Sequence, residues 1–433
     1  MHLKITGGKK LRGAINNQSA KNSATPIICA CAMIKGPVTL ADVPDIEDVN
    51  RILELIASIG VKVKKTGARE FLLDASGSLD VKKMNRAAAE ANRSSLFLLG
   101  ALAARVKKFS LYKPGGCKLG ERTIRPHLFA LADLGARIEE RGDCFAVKAP
   151  ALKGNKIIMY ESGDTATENA VLAAALARGE TTIKFASANY QVQDLCHFLN
   201  RAGAKISGIG TSTLKIIGVK KLKSVKNYSI MPDPIVAMTF IAAAITTGSR
   251  LVVKNCPMDF LELELYKLKK MGQKFKIKNQ RLSKNGAFAI ADIEIIPSAL
   301  TASQDKIESR PFPGLNIDNL PLFVPILLRA RGKTLVHDWA YENRAAYNLE
   351  LNKLGAKISL LDPHRVWVEG PATLKAADIA SPDALRSAVV ILLVMLAARG
   401  KSILRNTRPI ERGYENLYAT LNKAGANIKI IND

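Results

Sequence analysis

The stretch LNRAGAKI, from Leu199 to Ile206, decides the fold. Its apolar residues fall at helical spacing, Gly203 interrupts that spacing, and the residues after it open a β-rich run. A glycine at such a place serves as the left-handed cap of a helix. The same pattern returns as IASIGVKV ending at Val63, LADLGARI ending at Ile138 and LKKMGQKF ending at Phe275. It returns twice more as LNKLGAKI ending at Ile358 and LNKAGANI ending at Ile428. Six copies at intervals of about 70 residues make an internal repeat.

A second mark precedes most copies by about 24 residues: an Ala/Leu-rich helix, then glycine, then a strand. It reads LAAALARGETTIKF, IAAAITTGSRLVVKN, ILLRARGKTLVHD and LLVMLAARGKSILRN. The copy ALAARVKKFSLYK has a basic stretch in place of the glycine. Each unit is thus predicted as helix, strand, helix, strands, which makes the chain α/β. A lone unit cannot cover both its apolar faces, so the units must pack on one another. At 433 residues the chain exceeds one ordinary core, and six units fit two domains of three.

Composition narrows the function classes. Lysine and arginine number 64 against 38 acidic residues, a net charge of +26 that favours anionic partners. The excess is spread along the chain with little aromatic interleaving, so a stacking surface for single-stranded nucleic acid is not expected. No apolar run is long enough to span a membrane. The N-terminus MHLKITGGKKLRG lacks a signal-peptide stretch, so a cytoplasmic location is expected. The cysteines (Cys29, Cys31, Cys117, Cys144, Cys196, Cys256) show no zinc spacing, and no metal site is predicted.

Polar residues interrupt the repeat at particular places. The segment PGGCKLGER, Pro114 to Arg122, puts Cys117 between Lys118 and Arg122 behind two glycines. Nearby positive charge lowers a thiol's pKa, which suits a reactive thiol on a mobile lid; a surface turn with a chance cysteine is the other reading. Lys21 and Asn22 stand at the start of an apolar helix, where an anion could be held or the helix merely capped. Arg93, Arg344, Arg386 and Arg412 recur at helix starts and turns, and converging arginines would hold phosphate and carboxylate. Asp318, in FPGLNIDNLPLF, is either a general base or an N-cap.

Taken in order, SAKN, PGGCxxGxR, the Asp318 segment, ENR, LRS and RGYE resemble the UDP-N-acetylglucosamine 1-carboxyvinyltransferase family of enolpyruvyl transferases across essentially the whole chain. The SKS-type and NAGT-type motifs of the sister shikimate-pathway transferases are absent. The resemblance implies a two-domain inside-out α/β barrel, each domain three βαβαββ repeats. Residues 21–231, with a lid near 112–123, would form one domain, and 1–20 plus 232–433 the other, with the active site in the cleft between them. It implies transfer of enolpyruvyl from phosphoenolpyruvate to the 3-hydroxyl of UDP-N-acetylglucosamine with release of phosphate, the first committed step of peptidoglycan synthesis. No cofactor is implied, and the epoxide fosfomycin is expected to alkylate the lid thiol.

Carried over by position, Lys21 would bind the phosphate of phosphoenolpyruvate and Asn22 the sugar. Arg93, Arg122, Arg386 and Arg412 would hold phosphoenolpyruvate or draw the lid shut, and Arg344 would support the closed cleft. Cys117 would protonate the methylene carbon, and Asp318 would take the proton of the sugar hydroxyl. Arg125, His127 and Thr165 would line the acceptor side. Departures cluster there: Arg125-Pro126 replaces an Asp-Leu pair, GDTATEN (Gly163 to Asn169) replaces SVGATEN, Asn189-Tyr190-Gln191 replaces Glu-Pro-Glu, and Pro234 replaces an arginine. Two readings stay open: a divergent UDP-N-acetylglucosamine enzyme, or an enolpyruvyl transferase for another nucleotide or nucleotide sugar. A non-catalytic anion or nucleic-acid binder on this scaffold would need neither the thiol nor the base.

Overall fold

The computed structural model describes residues 1–115 and 123–431. Among these residues, five four-stranded sheets and one three-stranded sheet form. Each of the six repeat copies delivers its last strand to the edge of a different sheet: Lys62–Gly67, Arg137–Arg141, Lys205–Ser207, Lys274–Leu282, Lys357–Asp362 and Ile428–Ile431. The glycine just before each strand takes positive φ, from 85° at Gly355 to 105° at Gly425. A side chain would be strained there, which is why the repeat keeps glycine. The fifth copy departs from the others in one respect: its helical segment, Ala345–Leu354, is 3-10 rather than α.

The described residues divide into two compact units. One contains Met1–Gln18 and the chain from Pro232 onward; the other contains the described residues between Ser19 and Met231. In the first, helices Pro234–Thr246, Phe323–Leu327 and Leu385–Ala397 pack on each other. All residues of Pro234–Thr246 are buried. In the second, Phe97–Ala103 packs on both Lys21–Cys31 and Asp164–Ala174. Helices apolar all round must lie inside, so each unit carries its helices at the core and its sheets outside. That is the inside-out arrangement.

Chain ends and crossings are built into the sheets. The first strand, His2–Gly7, pairs antiparallel with both Gly400–Arg405 and Ile428–Ile431. Thus the N-terminus completes the sheet of the last repeat. In the other unit, Val225–Ser229 runs parallel to Pro37–Ala41. Just beyond, the Ala20 N–H donates to the Met231 carbonyl at 2.8 Å. No helix among the described residues is long and apolar enough to cross a membrane.

Candidate active site

The unit containing the C-terminus gathers Asp318, Arg344 and Arg386. Asp318 lies just ahead of the 3-10 turn Leu320–Leu322, whose cap position is Asn319. The Asp318 carboxylate turns to charge. Arg386 Nη2 donates to Asp318 Oδ2 at 3.3 Å, and Arg344 Nη1 lies 3.6 Å from Oδ1. Arg386 enters from the first turn of Leu385–Ala397, and its Nη1 donates to the Tyr414 hydroxyl at 2.8 Å. That hydroxyl also lies 2.8 Å from Thr239 Oγ1. Burial pushes the Tyr414 phenol up, opposed by the Arg386 charge. Asp233 caps helix Pro234–Thr246 through the N–H groups of Ile235 and Val236. Burial raises its carboxyl, which also feels Arg386 and Asp318. Arg412 ends the short helix Arg408–Glu411, two residues before Tyr414.

A carboxylate flanked by two guanidiniums stays anionic and has a fixed orientation. It can accept a proton from a hydroxyl brought within hydrogen-bond reach. Tyr414 lies inside the quoted RGYE motif, yet sequence reading did not single it out. Asp338 was also missed: it follows the repeat strand Gly332–His337 and reads as the end of a strand. Its carboxylate pairs with Arg344 Nε at 2.5 Å and Nη2 at 2.9 Å.

The other unit holds the remaining described candidates in several small groups. Lys21 and Asn22 open helix Lys21–Cys31. Lys21 Nζ pairs with Asp48 at 2.9 Å, and Asn22 Nδ2 donates to the Tyr190 hydroxyl at 3.0 Å. Arg93 starts a 3-10 turn, Arg93–Leu96, rather than the apolar helix itself, which begins at Phe97. Its Nη2 donates to the Thr123 carbonyl at 2.8 Å. Arg125 is the exposed first residue of helix Arg125–Asp133. Cys117 and Arg122 lie outside the described residues.

His127 and Thr165 do come together. Asn169 Oδ1 accepts the Gly100 N–H at 2.7 Å, which turns its amide Nδ2 toward His127 Nδ1 at 2.9 Å. His127 Nδ1 is then the acceptor, and Nε2–H faces Thr165 Oγ1 at 3.3 Å. Asp164 settles locally as well. Its carboxylate accepts from Ser187 Oγ, from Asn189 Nδ2 at 3.0 Å and from Gln191 Nε2 at 2.8 Å. Two of the departures from the family pattern, GDTATEN and Asn189-Tyr190-Gln191, thus form one hydrogen-bonded set. Nearby, burial and the Asp164 charge push the Glu168 carboxyl well up. Among the described residues, no group of His, Cys, Asp and Glu could hold a metal ion.

Comparison with known proteins bears on the chemistry. A family model described as EPSP synthase (3-phosphoshikimate 1-carboxyvinyltransferase) matches residues 5–421. The chain is 34% identical, over 98% of both chains, to the UDP-N-acetylglucosamine 1-carboxyvinyltransferase of Bacteroides fragilis. It is 36% identical, again over 98% of both, to UDP-N-acetylglucosamine 1-carboxyvinyltransferase 2 of Caldanaerobacter subterraneus subsp. tengcongensis. The enolpyruvyl transferase NikO from Streptomyces tendae superposes with a TM-score of 0.85 at 25% identity, covering 99% of this chain and 98% of that one. EPSP synthase from Acinetobacter baumannii shares the fold, with a TM-score of 0.78 at 19% identity and full coverage of both chains. With a repeat, a fold and near full-length relatives in agreement, the chain belongs to the enolpyruvyl (1-carboxyvinyl) transferase family.

Proposed function

We propose that the chain transfers the enolpyruvyl group of phosphoenolpyruvate to the 3-hydroxyl of UDP-N-acetylglucosamine and releases phosphate. The names of its near full-length relatives support the substrate pair. The observation that carries the chemistry is the Asp318 carboxylate between Arg386 and Arg344. In this reading Asp318 takes the proton of the acceptor hydroxyl as its oxygen adds to carbon 2 of phosphoenolpyruvate. Cys117 gives a proton to the methylene carbon. The tetrahedral adduct then loses phosphate and a methyl proton, which restores the double bond. Lys21, Arg93, Arg122, Arg386 and Arg412 neutralise the phosphate and carboxylate as charge shifts onto oxygen. Asn22, Arg125, His127 and Thr165 serve the acceptor, and Arg344 serves Asp318. Residues 21–231 and 1–20 plus 232–433 act as the two domains, each supplying part of this set. The enzyme works in the cytoplasm, at the entry to peptidoglycan synthesis.

The Asp164 set favours a second reading, transfer to another nucleotide or nucleotide sugar. It places a carboxylate in the first turn of helix Asp164–Ala174, where an acceptor phosphate would otherwise be welcome. Mass spectrometry of the products separates the two. Incubation with phosphoenolpyruvate and UDP-N-acetylglucosamine is expected to give the acceptor enlarged by one enolpyruvyl group. Unchanged UDP-N-acetylglucosamine, with enolpyruvyl appearing on another nucleotide in a mixed panel, would transfer the proposal to the second reading.

A further inference from the structure

The contacts of Arg344 run inward. It is 3% exposed, and all three guanidinium nitrogens are engaged within the protein. Nε and Nη2 hold the Asp338 carboxylate, Nη2 also donates to the Ile317 carbonyl at 2.7 Å, and Nη1 faces Asp318. The Tyr341 ring covers the guanidinium at 4.3 Å. An arginine so committed is placed to act on the neighbouring carboxylate rather than on a substrate. Asp338 is itself 4% exposed and anchored through its backbone. Its N–H donates to the His364 carbonyl at 2.7 Å, and its own carbonyl accepts from His364 Nδ1 at 2.9 Å. These bonds fix it at the end of strand Gly332–His337.

We propose that Asp338 is a positioning residue for the transfer reaction: it holds Arg344 beside Asp318 and offsets the charge that Arg344 places on that carboxylate. The inference rests on the reading of Asp318 as the base. A base needs enough affinity for a proton to take one. Asp318 faces two guanidiniums, Arg344 and Arg386, with the Asp233 carboxyl as a further neighbour. Arg386 bonds the Tyr414 hydroxyl, which in turn meets Thr239, and it also feels the Asp233 carboxyl. Arg344 is tempered by a full negative charge in bidentate contact. Without that charge, Asp318 would meet an unopposed cation in a poorly solvated place and would become a weaker base. Asp338 touches no reacting atom in this scheme; it acts through Arg344.

The test is the pH profile of acceptor-dependent phosphate release for the wild type, Asp338→Asn and Asp338→Glu. Asparagine keeps the shape and removes the charge. Asp338→Asn is expected to lower kcat by about tenfold or more, to leave KM for phosphoenolpyruvate within about twofold, and to move the acid limb of kcat to lower pH by about one unit. Asp338→Glu keeps the charge and is expected to return the acid limb to its wild-type place. A purely structural role would lower activity without moving the limb, so an unmoved or raised limb in Asp338→Asn overturns the proposal. Should that variant fail to fold, Arg344→Gln carries the test: its acid limb must rise, and an unmoved limb overturns the proposal. Wild-type protein without acceptor-dependent release would refute the functional reading, and this inference with it. Wild-type release combined with an unmoved limb would refute the role of Asp338 alone.

Discussion

Asp318 takes its contacts from residues far along the chain. Its partners stand 26 and 68 positions away, at Arg344 and Arg386. Local sequence offered a cap or a base with equal reason, because neither arginine is visible from FPGLNIDNLPLF. The same limit hid Asp338, whose place after a repeat strand looks structural until its pairing with Arg344 is known. Arg386 and Arg412, by contrast, stand out locally, as an arginine at the head of an apolar helix and one in a glycine turn, and of the two the structure brings Arg386 to Asp318. Replacing Asp318 by Ala is expected to cut transfer by about 10² to 10⁴ while phosphoenolpyruvate still binds, measured by turnover and by calorimetry. Loss of folding in that variant, seen in the melting curve, would return Asp318 to a structural role. Cys117→Ser is expected to slow turnover by about 10² or more and to abolish the covalent fosfomycin adduct seen by mass spectrometry on the wild type. A fully active serine variant would contradict the acid role.

Helices and strands were the most legible level. Six glycines with a shared left-handed φ reflect one chemical need repeated six times, and periodicity finds such a need without tertiary knowledge. What periodicity cannot find is how closely two elements approach. Gly100, within Phe97–Ala103, lies against the backbone of Asn169, and a Cβ there would meet the Asn169 carbonyl and side chain. Its N–H also fixes the Asn169 amide and so the His127 ring. Gly100→Ala is expected to destabilise the protein by about 1–3 kcal/mol in denaturant melts, since backbone rather than a flexible side chain is in the way. An unchanged midpoint would show that the two helices move apart freely. Helix Tyr190–Arg201 carries a second device. Asp194 is fully buried and accepts from the Tyr228 hydroxyl at 2.6 Å and the Met231 N–H at 3.3 Å. Burial raises its carboxyl to about 7. The folded state thus holds this proton more tightly than the unfolded chain, whose aspartates titrate near 3.9. Asp194 contributes most below about pH 4, and that contribution is lost as pH rises toward about 7. Melting temperatures compared across this window are expected to show a smaller fall for Asp194→Asn than for the wild type. Equal slopes would mean that Asp194 titrates normally.

At the scale of the whole molecule, sheets and sequence order disagree in an instructive way. The N-terminal strand belongs to the last sheet, and Ala14–Asn16 runs parallel to Leu251–Pro257 in a sheet built mainly from later residues. Repeat spacing predicts six units, but a strand this far from its partners carries no local sign of them. The net charge of +26, spread over the chain, suits anionic substrates in general and selects none. In the proposed reading acceptor choice turns on a few side chains, Asp164, Asn189 and Gln191 among them, whose mutual bonds only the folded chain displays. The most direct test is the rate of phosphate release from phosphoenolpyruvate, with UDP-N-acetylglucosamine and without any acceptor. Release that requires UDP-N-acetylglucosamine is the predicted result, and it makes the altered loop a variation within one activity. No release with this acceptor would contradict the account.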